Sequence, residues 1–372
     1  MVQKIIFTLI CCALVLSVGE LALRQVLFRH VSYSNSESID RQLRERNTGT
    51  DWNILFIGDS ETRWGVNPEE MDNTFSSYGL NVRSFNHAFD GFGASWWPRL
   101  LPRLLEQPAL KNVEVVALGV QLIDSHRVVS ESGEDCGALQ KPVLTSPFAK
   151  DLGVASVCRS QSWDAELGKT LFGHLWIVRY SSAVRALILP QIMIGQGQLR
   201  FNSRKDGEPI RGFEPHRSIA QDRDTYNQEF ERWKAQYQPD RDFVPLQKTV
   251  WTELTSPSGF FDQLNETVRS SGRALVLFAV PTNPVLIDTF NRREDYLRNS
   301  QLLQDWAAKR GVVFVDAGIQ DVDNSDIYFS DMRHLSASGA RQYSQKLGQL
   351  LASKGVFKNH AMNQQKMERR VQ

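Results

Sequence analysis

The run "NILFIGDSETRWGVNP", residues 53–68, decides the fold. Asn53, Ile54, Leu55, Phe56 and Ile57 have the length and the β-branched and aromatic content of a strand buried on both faces, and Gly58 lets such a strand turn sharply. Ser60 then stands at the strand's carboxyl end, where open α/β sheets bind their ligands. The plainer reading is that Asp59 and Ser60 only cap the helix that Pro68, Glu69 and Glu70 begin. This stretch by itself leaves both open.

With 372 residues, 41% of them hydrophobic, the chain holds one large domain or two ordinary ones around a sizeable core. Its 43 basic and 42 acidic residues leave a formal charge of +1, so nothing draws it in bulk to nucleic acid, and that partner is excluded.

The amino terminus differs from the rest. Residues 5–19 are apolar except for Thr8 and Ser17, Lys4 precedes them, and the apolar face continues past Glu20, Arg24 and Gln25 to Phe28. Residues 1–30 are therefore expected to be a signal anchor, with a signal peptide cleaved after Gly19 as the alternative, and residues 5–28 are the expected membrane contact. The body would lie in the periplasm or outside the cell. Arg24 and Arg29, against Lys4, argue for the other orientation. Cys136 and Cys158 argue for this one, because their spacing suits a disulfide in an oxidising compartment, although two buried thiols fit as well.

Five segments read as buried strands, at 53–57, 82–85, 113–118, 274–280 and 312–315. Helical patterns lie between or after them at 68–78, 95–106, 259–270, 292–309 and 336–351. Alternation of this kind implies a parallel five-stranded sheet covered on both faces, a three-layer α/β/α sandwich. The pattern fails over 125–255, which is too long for a bare connection and reads as a large, mostly helical inserted subdomain, with helices near 165–193 and 222–237. Residues 51–124 and 256–353 then form the main domain, and 354–372 a polar tail.

A serine hydroxyl needs a base. Of the seven histidines, His30 and His360 lie in flanking segments, His126, His174 and His216 in the insertion, and His87 follows the second strand. His334 is the best placed, since "YFSDMRHLSASGARQYSQKL" puts Asp331 three residues before it and a helix just after it. A carboxylate at that spacing can hold the imidazole in one tautomer and stabilise its charged form.

Gly58-Asp59-Ser60 and Asp331-Met332-Arg333-His334 together resemble the two end blocks of the SGNH (GDSL-type) hydrolases. The resemblance covers about 51–124 and 264–351 and implies a flavodoxin-like sandwich in which Ser60 is the nucleophile, His334 the base and Asp331 its orienting acid. It implies an oxyanion hole built from the Ser60 backbone N–H and a glycine of "SFNHAFDGFGAS", Gly91 in first place and Gly93 as the alternative. The family's third block, Gly-x-Asn, is here Gly119-Val120-Gln121, so Gln121 either replaces the asparagine amide or serves the loop into the insertion.

The chemistry that the resemblance implies is acyl transfer through an acyl-serine, with no metal and no cofactor. The enzyme would be an esterase or an O-acyltransferase on an acetylated, extracytoplasmic carbohydrate or a small ester, and the layout is similar to membrane-anchored alginate O-acetyltransferase relatives, which implies a membrane-bound acyl-donor partner. Phe92, Trp96 and Trp97 would supply a carbohydrate platform or core packing, and Arg63 an anion contact or a helix cap. The rival reading is a non-catalytic glycan-binding or scaffold module of a polysaccharide assembly system.

Overall fold

A computed structural model describes residues 7, 8, 14, 15, 17–19, 52–88, 97–123, 211, 213, 223–236, 254–318, 328–331 and 333–357. Chain contacts divide the molecule into two units, residues 1–41 with 133–208, and 42–132 with 209–372. Only the second has described elements beyond single residues near the amino terminus.

Its centre is a five-stranded sheet of β1 (Ile54–Ile57), β2 (Ser84–Asn86), β3 (Val115–Val120), β4 (Ala274–Ala279) and β5 (Val313–Val315). Every described pairing is parallel, and the order is β2-β1-β3-β4-β5. β1 is buried along its whole length, and Phe56 meets Phe278 of β4 edge-on at 5.8 Å. Such residues carry most of the folding free energy, about 2 kcal/mol for each large apolar side chain taken from water.

The helices are α1 (Ser60–Gly65), α2 (Pro68–Ser77), α3 (Trp97–Leu105), α4 (Arg223–Gln236), α5 (Phe260–Ser270), α6 (Pro284–Thr289), α7 (Arg293–Arg310) and α8 (Ala337–Ser353). α2 packs on α8, and α3 on α5. Right-handed crossovers from this strand order put the helices after β1 and β5 on one face and those after β2, β3 and β4 on the other, which makes the three layers. The order reverses between β1 and β3, so the crevice of the sheet opens at their carboxyl ends.

The five strands lie where the apolar runs put them, with β2 starting at Ser84 and β3 continuing to Val120. Two short helices are additions to the pattern read from sequence, α1 directly after the first strand and α6 after the fourth. Of the insertion read at 125–255, the described residues are 211, 213, α4 and 254–255; Cys136 and Cys158 lie outside them. Arg211 nonetheless reaches the sheet's β2 edge. Its carbonyl accepts from Asn86 N at 2.9 Å, its guanidinium pairs with Asp72, and it lies 5.5 Å over the Trp52 ring.

The membrane anchor is a correction. Among the described residues no helix is long and apolar enough to cross a membrane, which overturns the transmembrane reading of the amino-terminal run and the membrane-anchored placement drawn from it. The uninterrupted run ends at Gly19, short of the roughly 20 residues a span needs, and Glu20 and Arg24 follow within the next two turns.

His87, one residue past β2, is completely buried, with Phe85 and Trp97 rings 6.1 and 6.5 Å away. Burial drives its proton affinity down, from an ordinary 6.5 to about 3. The folded chain therefore holds a neutral ring where the unfolded chain takes a proton, so this contribution to stability is complete above pH 6.5 and is lost as pH falls toward 3. Between pH 7 and pH 5 the loss is about 2 kcal/mol. Urea denaturation at both pH values should show that fall in the native protein and a shallower one in His87→Leu; parallel slopes would refute the burial argument.

Candidate active site

α1 begins at the residue that sequence singled out. Asp59 is its N-cap, and its Oδ1 accepts from Glu61 N at 3.1 Å and from Thr62 N at 3.5 Å. A cap of this type contributes about 1 kcal/mol and here fixes the direction in which Ser60 leaves the strand. Asp59 thus does cap a helix, but it is the one that starts at Ser60; the helix that starts at Pro68 is capped by Asn67. Asn86, fully buried at the end of β2, holds the other end of α1, since its Nδ2 donates to the carbonyls of Thr62, Arg63 and Val66 at 3.1, 3.3 and 2.8 Å.

Thr62 sets how closely α1 sits on the sheet. A Cβ built on Gly58 would lie 2.2 Å from Thr62 Oγ1, and one on Gly119 2.0 Å from the same atom. Gly58 also has φ +152°, which a residue with a side chain rarely adopts. The two glycines at the ends of β1 and β3 are therefore the hollow into which Thr62 fits.

The second half of the site comes from a tight loop before α8. Phe329 and Leu335 form an antiparallel bridge, Ser330 N donates to His334 O at 2.9 Å, and Ser336 N donates to Tyr328 O at 2.8 Å. Inside this loop Asp331 Oδ1 accepts from the backbone N–H groups of Arg333 and His334, each at 2.7 Å. Its Oδ2 lies 2.8 Å from His334 Nδ1. Burial alone would raise the Asp331 carboxyl, but the hydrogen bond and charge of His334, together with the two backbone donors, hold it down at about 2. An ionised Asp331 keeps the proton on Nδ1 and leaves Nε2 of the neutral ring as an acceptor.

That Nε2 lies 3.0 Å from Ser60 Oγ. The structure thus brings Asp331, His334 and Ser60 into one line from 274 positions apart in sequence, with Ser60 only 6% exposed. Trp64 of α1 stands against the imidazole, ring centroids 6.4 Å apart at 67°. α8 ties both halves together: Ser344 Oγ donates to Gly65 O at 3.2 Å and accepts from Asn67 N at 2.8 Å, while Tyr343 Oη donates to Ala279 O at 2.6 Å.

Gln121 follows β3 directly, on the same sheet edge, and is 9% exposed. Gly91 and Gly93, with Phe92 and Trp96, lie outside the described residues. Trp97 is fully buried and belongs to the core, not to a sugar platform. Arg63 is also fully buried, with its guanidinium 4.9 Å over the Trp64 ring, so it is no surface anion site. Sequence reasoning passed over Glu61 and Asn86, although a carboxylate immediately after the serine was there to be noticed. Ser60 Oγ donates to Glu61 Oε2 at 3.0 Å.

No family model matches the sequence, and no curated protein matches it. Among solved structures, the chain is similar to a lipase/acylhydrolase from Enterococcus faecalis, at 10% identity over 82% of this chain and 96% of that one, TM-score 0.36. It is similar to a candidate SGNH hydrolase from Slackia heliotrinireducens, at 12% identity over 81% and 100%, TM-score 0.35. A candidate acylhydrolase from Bacteroides fragilis is similar at 10% identity over 85% and 96%, TM-score 0.31. Likenesses this distant bear on no chemistry, which has to come from the site's own atoms.

The Thr62 hollow is directly testable. Gly119→Ala puts a methyl against Thr62 Oγ1 and 2.8 Å from Val280 Cγ1. Overpacking of this kind should cost about 1–3 kcal/mol. Adding Thr62→Ala in the same chain should recover part of that cost, whereas additive losses in chemical denaturation would show that the two residues do not share the space.

Proposed function

We propose that the chain is a serine esterase or O-acyltransferase working through an acyl-serine. The observation that supports this most is the Ser60, His334, Asp331 line, with its 3.0 and 2.8 Å contacts. His334 Nε2 takes the hydroxyl proton as Ser60 Oγ attacks an ester carbonyl, and returns it to the departing alkoxide. Asp331 holds the ring and stabilises the imidazolium. The acceptor that then releases the acyl group is water in an esterase and a sugar hydroxyl in a transferase. Among acyl esters an acetylated carbohydrate is the first substrate to try, because the Asp-x-x-His block in its context resembles that of enzymes that move acetyl groups on polysaccharides. A module that only binds glycan has no physical need for a base and an ionised acid aligned on a serine.

A fluorophosphonate probe tests the reading without knowledge of the substrate. It should label the native chain and leave Ser60→Ala unlabelled, and Asp331→Asn should label roughly a thousandfold or more slowly. A native chain that stays unlabelled would sink the assignment.

The oxyanion stabilisers we assign are the Ser60 backbone N–H, Gly91 and the amide of Gln121. What favours Gln121 is its place beyond β3, across the β1/β3 switch point from Ser60, in a nearly closed setting. Removing a real oxyanion donor costs roughly a hundredfold or more in turnover. Hydrolysis of a small acetyl ester by Gln121→Ala should fall by that order, and a change below about threefold would remove Gln121 from the list.

A further inference from the structure

The hydroxyl proton of Ser60 has two acceptors. Glu61 Oε2 receives it at 3.0 Å, and His334 Nε2 stands 3.0 Å from the same oxygen. One proton cannot serve both. Glu61 is only 3% exposed, and its other carboxylate oxygen lies 3.8 Å from the Arg333 guanidinium, which is a quarter exposed. A buried carboxylate keeps its charge where hydrogen bonds or an opposite charge compensate it, and both of these contacts belong to the site.

Counting hydrogens in the two states of the ring shows what Glu61 does. With a neutral imidazole, the proton on Nδ1 goes to Asp331 and Nε2 needs the Ser60 proton, so Glu61 must give up its donor. With a protonated imidazole, Nε2–H donates to Ser60 Oγ, and Ser60 Oγ–H can donate to Glu61. Only the second state satisfies both contacts of Ser60 at once, and its bonds are the stronger, charge-assisted kind.

We propose that Glu61 is a positioning residue, the fourth member of a chain Asp331–His334–Ser60–Glu61, which anchors the Ser60 hydroxyl and favours the protonated ring of His334 in the resting site. This rests on the reading of Ser60 as nucleophile. Its consequence is that activation of Ser60 is postponed to higher pH, until deprotonation of His334 draws the hydroxyl proton away from Glu61. Arg333 opposes the effect by partly neutralising Glu61.

Further charged and titratable groups stand around this chain. Asp331 faces Nδ1, and Trp64 presents its ring to the imidazole. On α1, Asp59 Oδ1 is engaged by the backbone N–H groups of Glu61 and Thr62, and Arg63 lies over Trp64. From α8, Ser344 meets Gly65 and Arg341 pairs with Glu70 of α2, while Tyr343 bonds Ala279 of β4.

The rate of fluorophosphonate labelling of the full chain as a function of pH tests this. Glu61→Gln keeps a hydrogen-bond acceptor of the same size and removes the charge, so the acid limb of its profile should move down by about half a pH unit or more. Arg333→Gln removes the opposing charge and should move the limb up. An acid limb that stays in place in Glu61→Gln overturns the proposal, because a purely structural role would change the rate without moving the limb. Should Glu61→Gln not fold by circular dichroism, Arg333→Gln decides alone, and an unmoved limb there overturns it equally. Failure of the native chain to label overturns the nucleophile reading instead, so the two failures are distinct.

Discussion

The seat of Thr62 between Gly58 and Gly119 is the constraint on which the site depends. A parallel sheet brings the carboxyl ends of β1 and β3 side by side, and the chain leaving β1 must turn over that edge at once to form α1. With a side chain at either glycine, α1 would ride higher, and Ser60 would no longer meet His334. Gly119 is therefore explained by packing before any chemistry is asked of its block. The same geometry makes Thr62, which no reading of the serine motif would single out, the residue that sets the height of Ser60.

Delivery of His334 is a separate problem, solved by α8. Its first turn crosses the loop so closely that a Cβ on Gly339 would lie 2.1 Å from Tyr328 O, and Ser336 caps it by accepting from Gly339 N at 3.2 Å. Further along, Tyr343 reaches β4, and Ser344 reaches both Gly65 and Asn67. One helix thus holds the His334 loop at its start and the Ser60 helix along its length. A shift of α8 would move Ser60 and His334 relative to each other, which is why 17 residues of ordinary helix after the motif matter as much as the motif.

The parts of this arrangement that can be read from sequence are those with short-range signals. Apolar runs locate all five strands, and the three-residue spacing of Asp331 and His334 anticipates their contact. α1 is hidden because six residues are too few to show a helical period, and Ser-Glu-Thr-Arg after a glycine reads as a turn. Arg63 and Trp97 can be read in sequence as binding residues or as a helix cap and core packing, and only the folded chain reveals that both are fully buried. Glu61 escapes notice for a different reason: adjacency to Ser60 says nothing about which way a side chain turns, and its role comes from a 3.0 Å contact. The amino-terminal run misleads because its hydrophobic composition is more conspicuous than the shortness of its uninterrupted stretch.

Two acid-sensitive groups among the described residues act over successive pH ranges, and this bears on how the site behaves. His87 withholds its contribution as pH falls from 6.5 toward 3, because the folded state refuses the proton that the unfolded chain accepts. Asp331 shifts in the same direction lower on the scale: its carboxyl is depressed from 3.8 to about 2, so what it contributes is present above 3.8 and is lost as pH falls toward 2. Between these limits the fold weakens while Asp331 stays ionised and keeps its hold on His334. A fall in stability in mildly acid solution therefore comes from His87, at the β2 exit, with the contact between Asp331 and His334 still in place.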